Sequence, residues 1–403
     1  MRVAYLAPEL PALSATFVYN EILQLEKLGT EVIPFSVNQP QARVEEDCVF
    51  DLTERTMVLY AEPVVRVLKS HLLLLAKSPL RYLKTLWLLC KDMWCVGLFT
   101  RTALGLGYRF LYSARLAALL LEKNCPHLHV HFAHIPADIA MYASSISGIP
   151  FSITAHANDI FERCWLLKQK VKRAHFFATI SEFNKKYMQS IGVDTEHVKI
   201  IRCGVDPAKF SQQEEATTNT VVKIGVLARL VEKKGIDLLI KAVAQLKKKN
   251  SPVELYIAGN GPMNKRLINL CKEIGLTESD VHFLGAIAHS KVTDFLKSLD
   301  LFVLPCREDE KGDIDGIPVV LMEAMLAGVP VITSNLSGIP ELVTDKKTGL
   351  LIEQNNLTAL VGAIASLIED DELRSRLIYN AAIKVKKDFS LIDNTKKLKT
   401  LFF

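Results

Sequence analysis

Residues 312–325 read GDIDGIPVVLMEAM, between two short apolar runs, LDLFVLP (299–305) and VPVITSN (329–335). Pro318 suits the first turn of a helix over the residues that follow, because its fixed φ fits there and its missing N–H would have no partner anyway. A strand, a loop, a helix and a further strand in that order form one step of a parallel α/β winding. Two acids, Asp315 and Glu323, stand on either side of the helix start in a segment otherwise fit for a core.

The same alternation continues outward. In the second half, VVKIGVLARL, VELYIAGNGP, VHFLGAI and GLLIE read as strands, with a helix around GIDLLIKAVAQLKKK. In the first half, RVAYLAP, EVIPFSV, HLHVHFA, PFSITAH, HFFATIS and VKIIRCG read as strands, and a helix runs from Thr16 to Leu28. Between the halves lies SQQEEATTNT (211–220), polar and without periodicity, which reads as a linker. The expected organisation is a Rossmann-like domain over 1–205, a linker over 206–220 and a second Rossmann-like domain over 221–373. A basic helical segment over 374–403 is expected to pack back on the first domain. The likeness of the halves is architectural, with no internal repeat in the sequence.

At 403 residues the chain exceeds one ordinary core. Its net charge of +5 comes with no nucleic-acid recognition motif, so no nucleic-acid partner is expected. The eight cysteines form no C-x-x-C pair, which fits reduced thiols better than disulfides or a zinc site. The N-terminus lacks the layout of a signal peptide, and no uncharged run is uniformly apolar over a spanning length. A cytoplasmic protein is expected.

Three motifs carry chemistry. ARLVEKKG places Arg229 after a strand and Lys234 at the following helix, where cations suit a diphosphate; solvated surface cations are the plain alternative. IAGNGP puts Gly259 and Gly261 where backbone could approach a ligand, though any strand-to-helix turn could carry them. At GDIDGIP, Gly316, Ile317 and Pro318 lead into the positive end of a helix, with Asp315 before it and Glu323 within it. An N-capping Asp and an ordinary helix Glu would look the same. Together the three match a diphosphate flanked by two polyols, a nucleotide sugar.

In this order, the motifs resemble the C-terminal half of the glycosyltransferases of family 4, which have the GT-B fold. The match runs through ARLVEKKGIDLLIKA, AGNGP, FLGAI, DGIPVVLMEAMLAGVPVITSNLSGIPELV and TGLLIE. The resemblance implies two Rossmann-like domains facing each other across a donor-binding cleft. It implies a retaining enzyme that moves a hexose from a nucleotide sugar, a UDP-sugar by preference, with no cofactor. Asp315 would hold the sugar, Glu323 the ribose, and Arg229 and Lys234 the diphosphate. In the first half, ITAHAND supplies His156, the family's active-site histidine near the anomeric carbon. LSATF resembles the exopolysaccharide and colanic-acid branch in the loop facing the donor, which brings in Ser14 and Thr16. IRCGVDPAKF matches the interdomain turn. This branch implies a glycan or lipid-linked acceptor at the bacterial inner membrane. A nucleotide-sugar epimerase, a sugar phosphorylase and a non-catalytic donor-binding subunit are the alternatives.

Two metal readings compete with this one. His127, His129, His131 and His134 alternate along HLHVHFAH, and Asp313-Ile314-Asp315 is formally an Asp-x-Asp. Neither displaces the metal-free reading. Residues 66–115 hold nine cations (Arg66, Lys69, Lys77, Arg81, Lys84, Lys91, Arg101, Arg109 and Arg115) against Asp92, with Trp87, Trp94 and Tyr108 among leucines. That composition suits either an anionic membrane surface or a solvated helical face.

Overall fold

The computed structural model describes residues 2–12, 15–40, 47–210 and 221–402. It divides into two compact units, Met1–Ile201 with Asp393–Phe403, and Arg202–Ile392. In the first, β1 (Arg2–Glu9), β2 (Glu31–Asn38), β3 (Met57–Val58), β4 (Leu128–His131), β5 (Phe151–Ala155), β6 (Phe177–Thr179) and β7 (Lys199–Ile200) form one sheet. Its order is β3-β2-β1-β4-β5-β6-β7, with parallel pairings. In the second, β8 (Val222–Leu227), β9 (Val253–Ala258), β10 (Val281–Gly285), β11 (Leu301–Leu304), β12 (Val331–Ser334) and β13 (Leu350–Ile352) form another. Its order is β10-β9-β8-β11-β12-β13, again parallel.

Helices cover such sheets, so the strands are apolar along their length. Leu301 to Leu304 are all buried, and β11 registers with β12 through Phe302 opposite Val331 and Leu304 opposite Thr333. In each sheet the first strand lies inside and the winding reverses beside it, between β1 and β4 and between β8 and β11. Ligands of open α/β sheets bind outside the strands' carboxyl ends at such a reversal. The segments after β8 and β11 carry Arg229, Lys234 and Asp315, and the segment after β4, with the end of β5, carries His134 and His156.

Some expectations shift. β3 has two residues, too few for a period-two pattern, and was not foreseen. The C-terminal segment expected as one piece is divided: the helix Asp371–Asp388 belongs to the second unit, and Asp393–Phe403 returns to the first. There Phe402 packs on the ring of His129, with centroids 5.2 Å apart. The polar stretch 211–220 lies outside the described residues.

Residues 64–122 form three helices, Val64–Lys77, Pro79–Val96 and Arg101–Glu122. The third is long and apolar enough to cross a membrane. Leu106, Ala114, Leu116, Ala117 and Leu120 are fully buried, however, and it packs along the helix Ile135–Ser147 as a core helix.

Candidate functional site

In the second unit the site grows from the contact between the segments that follow β8 and β11. Gly235 has φ +64°, and a Cβ there would stand 2.0 Å from the Pro305 carbonyl oxygen. Only glycine permits that approach, which brings the 3-10 turn Glu232–Lys234 against the end of β11. Lys234 thus lies in this turn before Gly235, one step ahead of the helix Ile236–Lys248 where the sequence places it. Its Nζ is 2.8 Å from Asp315 Oδ2, and Lys233 Nζ is 2.7 Å from Asp313 Oδ2 and 3.5 Å from Asp315 Oδ1. The Cys306 thiol donates to Asp315 Oδ2 at 3.3 Å.

Burial alone would push the Asp315 carboxyl up, but Lys234 and Lys233 outweigh it and hold the group below the ordinary range. Burial likewise pulls Lys234 down, and Asp315 more than restores it. Both stay ionised. Burial and the Asp315 charge raise the Cys306 thiol well above its usual value, so it stays a protonated donor. Both acids of the formal Asp-x-Asp are thus met by ammonium groups. Arg229 is exposed and has no side-chain partner among the described residues.

Pro318 stands just before the helix Val319–Leu326 and not in its first turn, and no side chain caps that helix. Asp315 is therefore a lysine-bound carboxylate and not an N-cap. Among the described residues the amides of Gly316, Ile317, Val319 and Val320 have no hydrogen-bond acceptor, whereas Leu321 N–H already reaches the Pro318 carbonyl at 3.1 Å. Four free donors at a helix start make an anion site. One turn on, Glu323 is 9% exposed, and its carboxylate has no hydrogen-bond or ion-pair partner among the described residues. Burial raises its pKa to about 7, against a smaller pull from Lys209. A largely buried carboxylate without a protein partner is costly unless solvent or a ligand supplies donors.

Gly259 and Gly261 bring two stretches of the chain's own backbone close together. A Cβ at Gly259 (φ +127°) would lie 1.8 Å from the Ala228 carbonyl oxygen, and one at Gly261 would lie 2.4 Å from that of Leu230. The backbone they approach is the chain's own, in the segment carrying Arg229, which is tied down by Leu230 N–H to Asn260 O at 2.9 Å.

In the first unit, His156 follows β5 and is buried. Its N–H donates to Asp159 Oδ1 at 2.8 Å and its carbonyl accepts from Asn184 Nδ2 at 3.1 Å. Its Nε2 lies 3.1 Å from His131 Nδ1, and His131 Nε2 lies 2.9 Å from Glu21 Oε1. Burial, then His131 and His134, hold the His156 pKa well below its ordinary value. Thr16 opens the helix Thr16–Lys27, and Ser14 lies outside the described residues. Of the alternating histidines, His129 uses both ring nitrogens on Ser152 and Thr154 at 2.8 and 3.1 Å, and His131 uses both as above. Glu21, His129 and His131 do bring possible ligand atoms within 4.8 Å of one another, but these imidazole nitrogens are already engaged.

The basic segment is sorted by the fold. Arg109 turns inward to Asp138 at 2.8 Å and Arg115 to Glu62 at 3.2 Å, while Asp92 is buried against Arg173 at 2.6 Å. The other seven cations are exposed. Among them Leu80, Trp87, Trp94 and Phe99 are 82%, 62%, 74% and 99% exposed, which a purely solvated face does not require.

Several partners had weak signals or none in the sequence. Lys233 and Asp313 sit beside residues already singled out, and Asp159 lies within ITAHAND. Glu21, Cys306 and Asn184 carry no motif; Glu21 and Asn184 become visible only through contacts between separate segments, and Cys306 only through its contact with Asp315.

Residues 208–384 match the family described as Glycosyl transferases group 1, and residues 95–209 match Glycosyltransferase Family 4. The putative colanic acid biosynthesis glycosyltransferase WcaL of Escherichia coli (strain K12) is 31% identical over 97% of this chain and 96% of its own. The amylovoran biosynthesis glycosyltransferase AmsK of Erwinia amylovora is 30% identical over 58% of this chain and 59% of its own. The crystal structure of Anabaena HepE in complex with UDP and glucose superposes with a TM-score of 0.73, at 17% identity, over 99% of this chain and 98% of that one. That likeness shows the GT-B fold. The chain belongs to the group 1 and family 4 glycosyltransferases, in the branch that includes the colanic acid and amylovoran enzymes.

Proposed function

We propose that this glycosyltransferase moves a hexose from a nucleotide sugar, with UDP as the first base to test, to a glycan or lipid-linked acceptor in bacterial exopolysaccharide assembly. The observation that carries the donor reading is Glu323, a buried carboxylate without a partner, one turn beyond four unpaired amides. The amides take the diphosphate, Glu323 takes the ribose hydroxyls, and Asp315, held ionised by Lys234, takes the sugar hydroxyls. Arg229 and Lys234 add charge for the leaving group. The names of WcaL and AmsK support the exopolysaccharide setting, and the UDP complex of HepE supports the base.

In the proposed reaction the acceptor oxygen bonds to the anomeric carbon as the bond to the diphosphate breaks, and the electron pair leaves on the phosphate oxygen. The acceptor proton passes to that oxygen on the same face, so configuration is retained. Cations and helix-start amides stabilise the developing negative charge and need no metal or cofactor. The family resemblance assigns His156 to the reacting centre. The test is proton NMR of sugar released when UDP-glucose or GDP-mannose is turned over slowly without acceptor. The first anomer formed should match the donor, and an inverted first product would refute retention.

We further propose that the exposed face of the helices Val64–Lys77 and Pro79–Val96 rests on the cytoplasmic side of an anionic membrane. Exposed Trp87 and Trp94, with Lys84 and Lys91 nearby in sequence, combine apolar insertion with attraction to acidic lipid.

A further inference from the structure

Four elements of the first unit converge on His156 through one chain of contacts. Tyr5 comes from β1, Glu21 from the helix Thr16–Lys27, His131 from β4, and His156 from the end of β5. The Tyr5 hydroxyl donates to Glu21 Oε1 at 2.7 Å, and the same oxygen is 2.9 Å from His131 Nε2. We propose that Glu21 and His131 are positioning residues that fix His156 as the tautomer protonated on Nε2, leaving Nδ1 to accept a hydrogen bond from a substrate hydroxyl. This rests on the reading of His156 as the group at the reacting centre.

The assignment follows donor by donor. Burial and the neighbouring Glu21 keep the Tyr5 hydroxyl protonated, so it is the donor in its bond. The same oxygen, as the carboxylate's acceptor toward His131, places that ring's hydrogen on Nε2. His131 is 1% exposed, and its ring lies between those of His129 and His156, with centroids 5.2 and 5.4 Å away. A neutral imidazole protonated on Nε2 has its lone pair on Nδ1, and His156 Nε2 stands 3.1 Å from it. His156 Nε2 must then donate. Its own Nδ1 is left as a lone pair with no hydrogen-bond partner among the described residues.

The ring is also held sideways. Phe17 and Phe132 lie 4.6 and 4.5 Å from it, centroid to centroid. Phe132 has φ +72°, a left-handed conformation costly for a bulky residue and one that persists where the surroundings impose it. With the His156 backbone tied to Asp159 and Asn184, the chain fixes the position of the ring, its tilt and its proton. Nδ1 is the atom kept free of protein.

The direct test needs no substrate: long-range proton–nitrogen NMR of the full chain with 15N-labelled histidine, with His156 assigned from the His156→Ala spectrum. The expected pattern is a protonated Nε2 and a bare Nδ1, shifting to mixed tautomers in Glu21→Ala and restored in Glu21→Gln, whose amide oxygen still accepts from His131. Turnover is read as nucleoside diphosphate release from UDP-glucose or GDP-mannose, whichever raises Tm more. Glu21→Ala should lower kcat about tenfold or more with KM within about twofold. It should slow His156→Ala no further, since it acts through that ring. A protonated Nδ1 in the wild type, an unchanged tautomer in Glu21→Ala, or an equal loss in both backgrounds would overturn the proposal. Full turnover by His156→Ala would instead overturn the reading of the reacting centre. The two failures are separable because the tautomer is read without substrate or turnover.

Discussion

Glu323→Gln should make the protein more stable and a poorer binder at the same time. Burial raises the Glu323 pKa from 4.5 to about 7. Between those values the folded chain holds the proton more tightly than the unfolded chain, so stability falls as pH rises through the window. Above pH 7 the loss is complete, and the gap between the two pKa values corresponds to about 3 kcal/mol. Glutamine fills the same volume without the charge. The variant should therefore exceed the wild type by up to about 3 kcal/mol at pH 8, with the difference shrinking towards pH 4.5. Nucleotide binding should move the other way, because ribose hydroxyls favour the carboxylate. UDP should bind the wild type more tightly as pH rises through about 7, and the variant about 1–3 kcal/mol more weakly at pH 8. Denaturant melts at pH 5 and pH 8, with calorimetric titration of UDP and GDP, read both quantities. Equal stability at the two pH values together with unchanged nucleotide affinity would refute the reasoning.

Lys234→Ala should strip Asp315 of its nearest countercharge, raise the Asp315 pKa and weaken UDP by about 1–3 kcal/mol in the same titration. Gly259→Ala forces a Cβ within 1.8 Å of the Ala228 carbonyl oxygen. It should lower Tm and displace the Arg229 segment, so thermal melts should show both a less stable protein and a smaller shift with UDP. Trp87→Ala with Trp94→Ala should reduce sedimentation with phosphatidylglycerol vesicles, and added salt should reduce it for the wild type. Equal binding to phosphatidylcholine vesicles would point to a solvated face.

The order of elements was legible because parallel strands covered on both faces are short apolar runs punctuated by turns. LDLFVLP and VPVITSN gave β11 and β12 to within a residue or two. The two-residue β3 has no period to read. The division of the C-terminal segment was hidden because it depends on where Phe402 packs, 270 or so positions from His129. Asp315, Glu323 and Lys234 stand out in the sequence as candidates because motif and helix start coincide in the chain. The close approach of Gly259 to Ala228 was hidden, since the two lie in separate segments. Glu21 and Cys306 had no local signature at all: Glu21 meets His131 from 110 positions away, and a lone cysteine nine residues before Asp315 matches no motif. The inward turn of Arg109 and Arg115 was hidden for the same reason: charge composition does not say which side of a helix meets Asp138 or Glu62.

The central claim, a nucleotide-sugar donor gripped by two acids around one helix start, is tested most directly by calorimetric titration of Asp315→Asn and the wild type with UDP, GDP and their glucose and mannose conjugates. One nucleoside diphosphate should bind the wild type, and at about one hundred times its Kd it should add about 2.7 kcal/mol of stability. Asp315→Asn removes a negative charge beside Lys234, 2.8 Å away, so that nucleotide should bind at least as well as before. The matching nucleotide sugar should lose whatever advantage it had over the free nucleotide. Binding of none of these ligands to the wild type, or an equal loss for free nucleotide and nucleotide sugar in Asp315→Asn, would contradict the account.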